Sequence, residues 1–176
     1  MADQRNSIGD RVAPPGAPER SFAHAARLIH TATTAEPYYA TWSPHHADVS
    51  DFWTIGGISD WRPLRPQHFT PETIEALLIE WASFIAGSNR LGVSTWNRTR
   101  DTDDPQDEIR IYPVALLRDE KKAVALGVYY DQRSVGHPLH GLKDAVGAAA
   151  STFRCDIPEE RKLAVLNDLV LLEEGP

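Results

Sequence analysis

A single α+β domain, with several helices packed on an antiparallel sheet of at least three strands, is the fold this sequence predicts. Three observations carry the prediction. A capped amphipathic helix is written after Phe69, and strand-like alternation runs from Leu91 to Tyr130. A chain of 176 residues also falls where one core is the default, burying roughly two-thirds of the unfolded surface.

Residues 1–19 place Pro14, Pro15, Gly16 and Pro18 among charges. So little apolar surface cannot offset the entropy of ordering, so a mobile arm is expected there and a globular body over 20–176. Ser21 then stands where it can cap a helix from Phe22 to about Thr31, with Phe22, Ala25, Ala26, Ile29 and Ala32 on one face. From Glu36 to Phe69 periodicity fails. Trp42, Trp53 and Trp61 come with Tyr38, Tyr39 and Phe52, while Pro44, Pro63, Pro66 and the Gly56-Gly57 step interrupt any long element.

The helix that follows has every start signal. Thr70 offers its hydroxyl to free backbone amides, Pro71 suits the first helical position, and Glu72 and Glu75 favour the positive end of the dipole. Ile74, Leu77, Leu78, Trp81 and Ile85 form its apolar stripe, and Gly87 is placed to end it in the left-handed conformation. Leu91, Val93 and Thr95 then alternate with Gly92, Ser94 and Trp96 as a strand, and Ile109–Leu117 and Val124–Tyr130 read as two more around the charged turn Arg118–Lys122. Pro113 cannot donate to a ladder, so its strand is bulged, at an edge, or turned there away from its neighbour. Past Pro138, Leu139, Leu142, Val146, Ala149 and Phe153 suggest a helix weakened by Gly141 and Gly147. Residues 158–174 fit a helix on Leu163, Leu166, Leu169 and Val170, with a hairpin around Asn167-Asp168 as the alternative.

The formal charge of -7 argues against binding nucleic acid through its phosphates, which needs a basic face, and favours a basic partner. The single cysteine, Cys155, allows no disulfide within the chain. Neither an apolar leader nor a long apolar run is present, so the expected setting is cytoplasmic, without membrane insertion.

No stretch carries a strong catalytic signature. His45, His46, His68, His137 and His140 invite a zinc hypothesis, but ligands one helical turn apart are missing, and the histidines are expected to be loop residues without metal. Cys155 beside Asp156, with His137 or His140 as base, is a conceivable nucleophile, although a lone cysteine between Phe153 and Ile157 more often packs as a small hydrophobe. Asp101, Asp103, Asp104, Asp107 and Glu108 mimic a calcium loop without its glycine or its distant bidentate glutamate. That run is expected to be a solvated or docking loop, its shape held by Arg98 and Arg100.

Aromatic groups on an irregular backbone are how binding surfaces are often built. The segment from Phe52 to Trp61 is expected either to cover the sheet or to form a compact wedge framed by Asp51 and Asp60. On the wedge reading Trp53, Gly56, Gly57, Ile58, Asp60 and Trp61 are the leading partner contacts, with Asp103, Asp104 and Asp107 second. Replacing Trp53 and Asp60 together is then expected to weaken partner binding by orders of magnitude and to leave the fold intact.

The opening MADQRNSIGD, the acidic single-domain character and the loop FWTIGGISDW resemble the immunity factors of the tuberculosis necrotizing toxin, an NAD-hydrolysing mycobacterial toxin. The resemblance extends over the whole chain and rests on no short motif, so it transfers no individual residue. It implies a cytoplasmic antitoxin that binds the toxin's catalytic domain one-to-one, blocks its NAD site, and uses no cofactor and no catalysis of its own. The alternatives are a small metal- or cysteine-dependent hydrolase and a small-molecule binding module with an aromatic pocket.

Overall fold

A computed structural model describes residues 19–145 and 157–175. It is the α+β fold the sequence predicts, four helices and a seven-stranded antiparallel sheet among the described residues. Most of the expected arm, and Val146, Ala149, Phe153, Cys155 and Asp156, lie outside them.

The first helix, α1, spans Glu19–Thr34, three residues earlier and three later than Phe22–Thr31. It runs on because its last turn is held by tertiary contacts: buried Thr33 donates through Oγ1 to Ile29 C=O at 2.7 Å, and Asn97 Nδ2 donates to Thr33 C=O at 3.1 Å. The second, α2, spans Pro71–Ile85 and buries all five expected stripe residues. Thr70 Oγ1 accepts from the Thr73 N–H at 3.3 Å, so Thr70→Ala is expected to lower unfolding stability by about 1 kcal/mol in urea titration. Gly87 corrects one expectation. It is not left-handed, and it is small because a Cβ there would meet Phe84 O at 3.0 Å and Leu163 Cδ2 at 3.1 Å.

The sheet is built from β1 (Tyr39–Trp42), β2 (Trp53–Ile55), β3 (Arg62–Leu64), β4 (Leu91–Asn97), β5 (Ile109–Leu117), β6 (Ser134–His137) and β7 (Gly141–Asp144). Their order is β1-β4-β5-β2-β6-β7, and β3 also pairs with β5. The aromatic stretch therefore supplies three short strands, each ended before it can lengthen. Pro113 sits opposite Val93 in a central strand. Leu116 N–H donates to Arg90 C=O, so even-numbered residues of β5 address the β4 side and Pro113 addresses the other. It falls in the gap between Ala115, paired to β2, and Ile111, paired to β3, where no ladder donor is needed.

Two expected elements are corrected. Val124–Tyr130 is not a strand but the body of α3, Glu120–Tyr129, because Asp119 accepts from the Lys122 N–H at 2.8 Å and caps it. Ala123, Leu126, Gly127 and Tyr130 are the buried positions, at helical spacing. The helix expected after Pro138 is, over its described part, the β6–β7 hairpin, with left-handed Gly141 after the turn and Leu139 and Leu142 exposed. For residues 158–174 helix prevails over hairpin: α4 runs Glu159–Glu174 and buries Leu166 and Val170.

The main core lies between the helices and the odd-numbered side of β4 and β5, with Val93, Ile111, Ala115 and Leu117 against Ile29, Leu78 and Leu166. Even-numbered residues face the other way. There Phe52, Val49 and Tyr112 pack with Val114 and Leu116, Ser94 is buried too, and the face opens to solvent at Trp96. No described helix is long and apolar enough to cross a membrane.

Candidate protein-binding face

Register alone places an unusual row on the uncovered side of the sheet. Tyr39 of β1 is opposite Trp96 of β4, Trp96 is opposite Arg110 of β5, and Arg110 is opposite Pro63 of β3. Because cross-strand partners share a face, these side chains form one strip across four strands. Trp61, just before β3, joins it: the Arg110 guanidinium carbon stands 4.0 Å over the Trp61 ring and 5.7 Å from the Trp96 ring, and Arg98 caps Trp96 at 5.1 Å. Large apolar rings this exposed, at 47% for Trp61, 44% for Tyr39 and 39% for Trp96, present contact area instead of burying it.

An ionic chain links the strip to the acidic loop. Arg110 Nε donates to Glu108 Oε1 at 2.8 Å, Arg98 Nη1 to the same oxygen at 3.2 Å, and Arg98 Nη2 to Asp104 Oδ2 at 3.0 Å. Burial alone would raise the Glu108 carboxyl, but the hydrogen bonds and charges of Arg110 and Arg98 outweigh it and hold Glu108 below the ordinary range. Arg98 thus shapes the loop as expected. Arg100 instead lies over the Tyr38 ring at 5.1 Å, and Arg110 takes the role foreseen for it. The Asp101 carboxylate accepts the Asp103 and Asp104 N–H groups, so the loop turns on its own side chain. The chain neutralises both arginines and leaves Asp60, Asp103 and Asp107 exposed, in no ion pair among the described residues.

The expected contacts therefore divide. Asp60, Trp61, Asp103, Asp104 and Asp107 are exposed, whereas Trp53 and Ile58 belong to the core, at 4% and 0% exposure. Gly56 and Gly57 are half-buried and not a free tip. Gly57 has φ of 83°, a Cβ on it would strike the Gln132 side chain, and Lys162 Nζ donates to its carbonyl at 2.6 Å. The wedge is held from behind at Gly57 and shows solvent its Asp60–Trp61 end.

The histidines do structural work where they can be followed. His45 Nε2 donates to Ile85 C=O at 3.0 Å and His46 Nε2 to Asn89 C=O at 2.8 Å, closing the end of α2. His137 is buried between Trp53 and His140, ring centroids 4.9 and 4.3 Å away, and its Nδ1 accepts the Leu139 N–H at 3.1 Å. Burial foremost, then the His140 charge, depress the His137 pKa, with Asp51 partly opposing. Among the described residues no three His, Cys, Asp or Glu side chains are grouped to hold a metal ion.

His137 has a pH signature. The folded state keeps it neutral to a lower pH than the unfolded chain does, so below about 6.5 the unfolded state binds more protons. Its full contribution to stability is present above that value and declines as pH falls toward the depressed folded-state pKa. The urea midpoint is expected to drop between pH 7 and 5, with a shallower drop in His137→Phe. An unchanged slope in that variant would assign the effect to other groups.

No family model, no curated protein and no solved structure matches this chain.

Proposed function

We propose that the chain is an immunity protein: a stoichiometric inhibitor, without catalysis of its own, that docks on the catalytic domain of an NAD-hydrolysing necrotizing toxin and closes its NAD cleft. The observation that supports docking is the exposed strip of Tyr39, Trp96 and Trp61 around Arg110. Tyr, Trp and Arg are the residue types that dominate binding energy at the centre of protein interfaces. The choice of partner rests on the resemblance in MADQRNSIGD and FWTIGGISDW.

Charge supports the pairing. A cleft that takes a dinucleotide offers cationic groups and amide donors to its pyrophosphate. Asp60, Asp103 and Asp107 at the margin of the strip are complementary to such groups, and margin charges act mainly on encounter. Mixing the chain with the toxin's catalytic domain is expected to give a one-to-one complex by light scattering and to abolish NAD consumption at one equivalent. Raising NaCl from 50 to 500 mM is expected to slow association about tenfold or more while changing dissociation little. Absence of a complex, or turnover of NAD by the purified chain alone, overturns the proposal.

A further inference from the structure

At the opposite end of β4 and β5 from the strip, Arg90 is only 2% exposed, yet neither its Nε nor its Nη1 has a hydrogen-bond acceptor. Arg90 borders an open depression of about 590 Å³ together with Glu173, Glu174, Asp119, Arg118 and Lys122, the last two of which join no ion pair among the described residues. Arg118 rests instead over the Phe52 ring, 4.8 Å from its centroid, beside Arg90 at 5.0 Å. The Glu173 carboxylate reaches in from α4. It accepts the backbone N–H of Asp119 at 2.8 Å and of Arg118 at 3.3 Å, where the ten-residue α3 begins, and stands 3.5 Å from Arg90 Nη1. Of the other carboxylates, Asp119 caps its own helix, and Glu174 accepts from Arg90 Nη2 at 3.4 Å at the exposed edge of the depression.

We propose that this depression is a binding site for a phosphate-class oxyanion, and that the Glu173 carboxylate is its built-in competitor. Two amides at a helix start and a buried guanidinium are the donor set that holds such an anion. Glu173 fills the amides but leaves two Arg90 nitrogens without acceptors, and a tetrahedral oxyanion brings more lone pairs to the same place. Displacement is feasible because, among the described residues, no buried apolar side chain fastens α4 beyond Val170. Leu171 and Leu172 are 68% and 70% exposed, so the last turn is held through Glu173 and Glu174. An anion that takes the amides releases that turn, coupling occupancy to the freedom of the helix end.

Chemical rescue tests this. Glu173→Gln, purified in chloride, is titrated with inorganic phosphate at constant ionic strength while the thermal midpoint is followed. Phosphate is expected to raise the midpoint of Glu173→Gln by several degrees and that of the native chain by less, and to deprotect the last-turn amides of α4 in the native chain to hydrogen exchange. Adding Arg118→Gln and Lys122→Gln to Glu173→Gln should abolish the gain. If Glu173→Gln folds poorly in chloride, its recovery by phosphate is the same positive result. No gain over sodium chloride, or an equal gain in the triple variant, overturns the proposal.

Discussion

Replacing Trp61 and Trp96 together by alanine is expected to weaken the proposed toxin complex by at least about 100-fold while moving the thermal midpoint by no more than a few degrees. Each ring stands at the centre of the strip, and truncating a central interface aromatic typically costs about 2 kcal/mol or more, roughly a factor of 30. Both rings are partly exposed and lie outside the main core, so the folded monomer loses partial surface packing and cation–π contacts with Arg110 and Arg98, the latter on the order of 0.5–1 kcal/mol each at exposed sites. Ile79→Ala is the control. It removes an equally exposed apolar side chain on the helical layer and should bind like the native chain. Isothermal titration with the toxin's catalytic domain reads the affinity. Native affinity in the tryptophan double variant, with inhibition intact, would move the interface off this face.

How much of this was legible beforehand depends on how local each signal is. The start and buried stripe of α2 were readable to the residue, because Thr70, Pro71 and the stripe from Ile74 to Ile85 are all written within sixteen positions, whereas its ending at Gly87 was not. α3 was misread: Val124, Val128 and Tyr129 suit a strand, while the cap that decides the matter, Asp119, sat inside what looked like a turn. For the site, Trp96 was read only as a position alternating with Leu91, Val93 and Thr95, and Arg110 was missed although it alternates with apolar Ile109 and Ile111. What single-sequence periodicity cannot give is register, and only register brings Trp96 beside Arg110 and both beside Trp61. The aromatic stretch was correctly neither helix nor long strand. Its division into core and surface depended on which residues Gln132 and Lys162 reach from distant elements.

Trp53→Ala is expected to act on folding first, lowering stability by about 3–5 kcal/mol in urea titration, the range for removing a large buried ring. That is a large part of what a domain of this size has to lose. Trp53 is opposite Leu117 in the β2–β5 ladder and carries His137 on its ring, while β2 and β6 share a single registered pair, Thr54 with Gly136. The ring is therefore a principal tie between the β6–β7 hairpin and the sheet, and its loss should deprotect β6 and β7 amides to hydrogen exchange before the rest of the sheet. Trp53→Phe, which keeps a ring against His137, should recover more than half of the loss. The substitution also separates two meanings of an aromatic at this position. Where Trp53→Ala remains folded, at low temperature and pH 7, it should bind the toxin within a few-fold of the native chain if Trp53 supports the Asp60–Trp61 end from beneath. A loss of binding as large as that of the Trp61 and Trp96 variant, in protein shown to be folded, would mean that the ring leaves the core to make the contact itself.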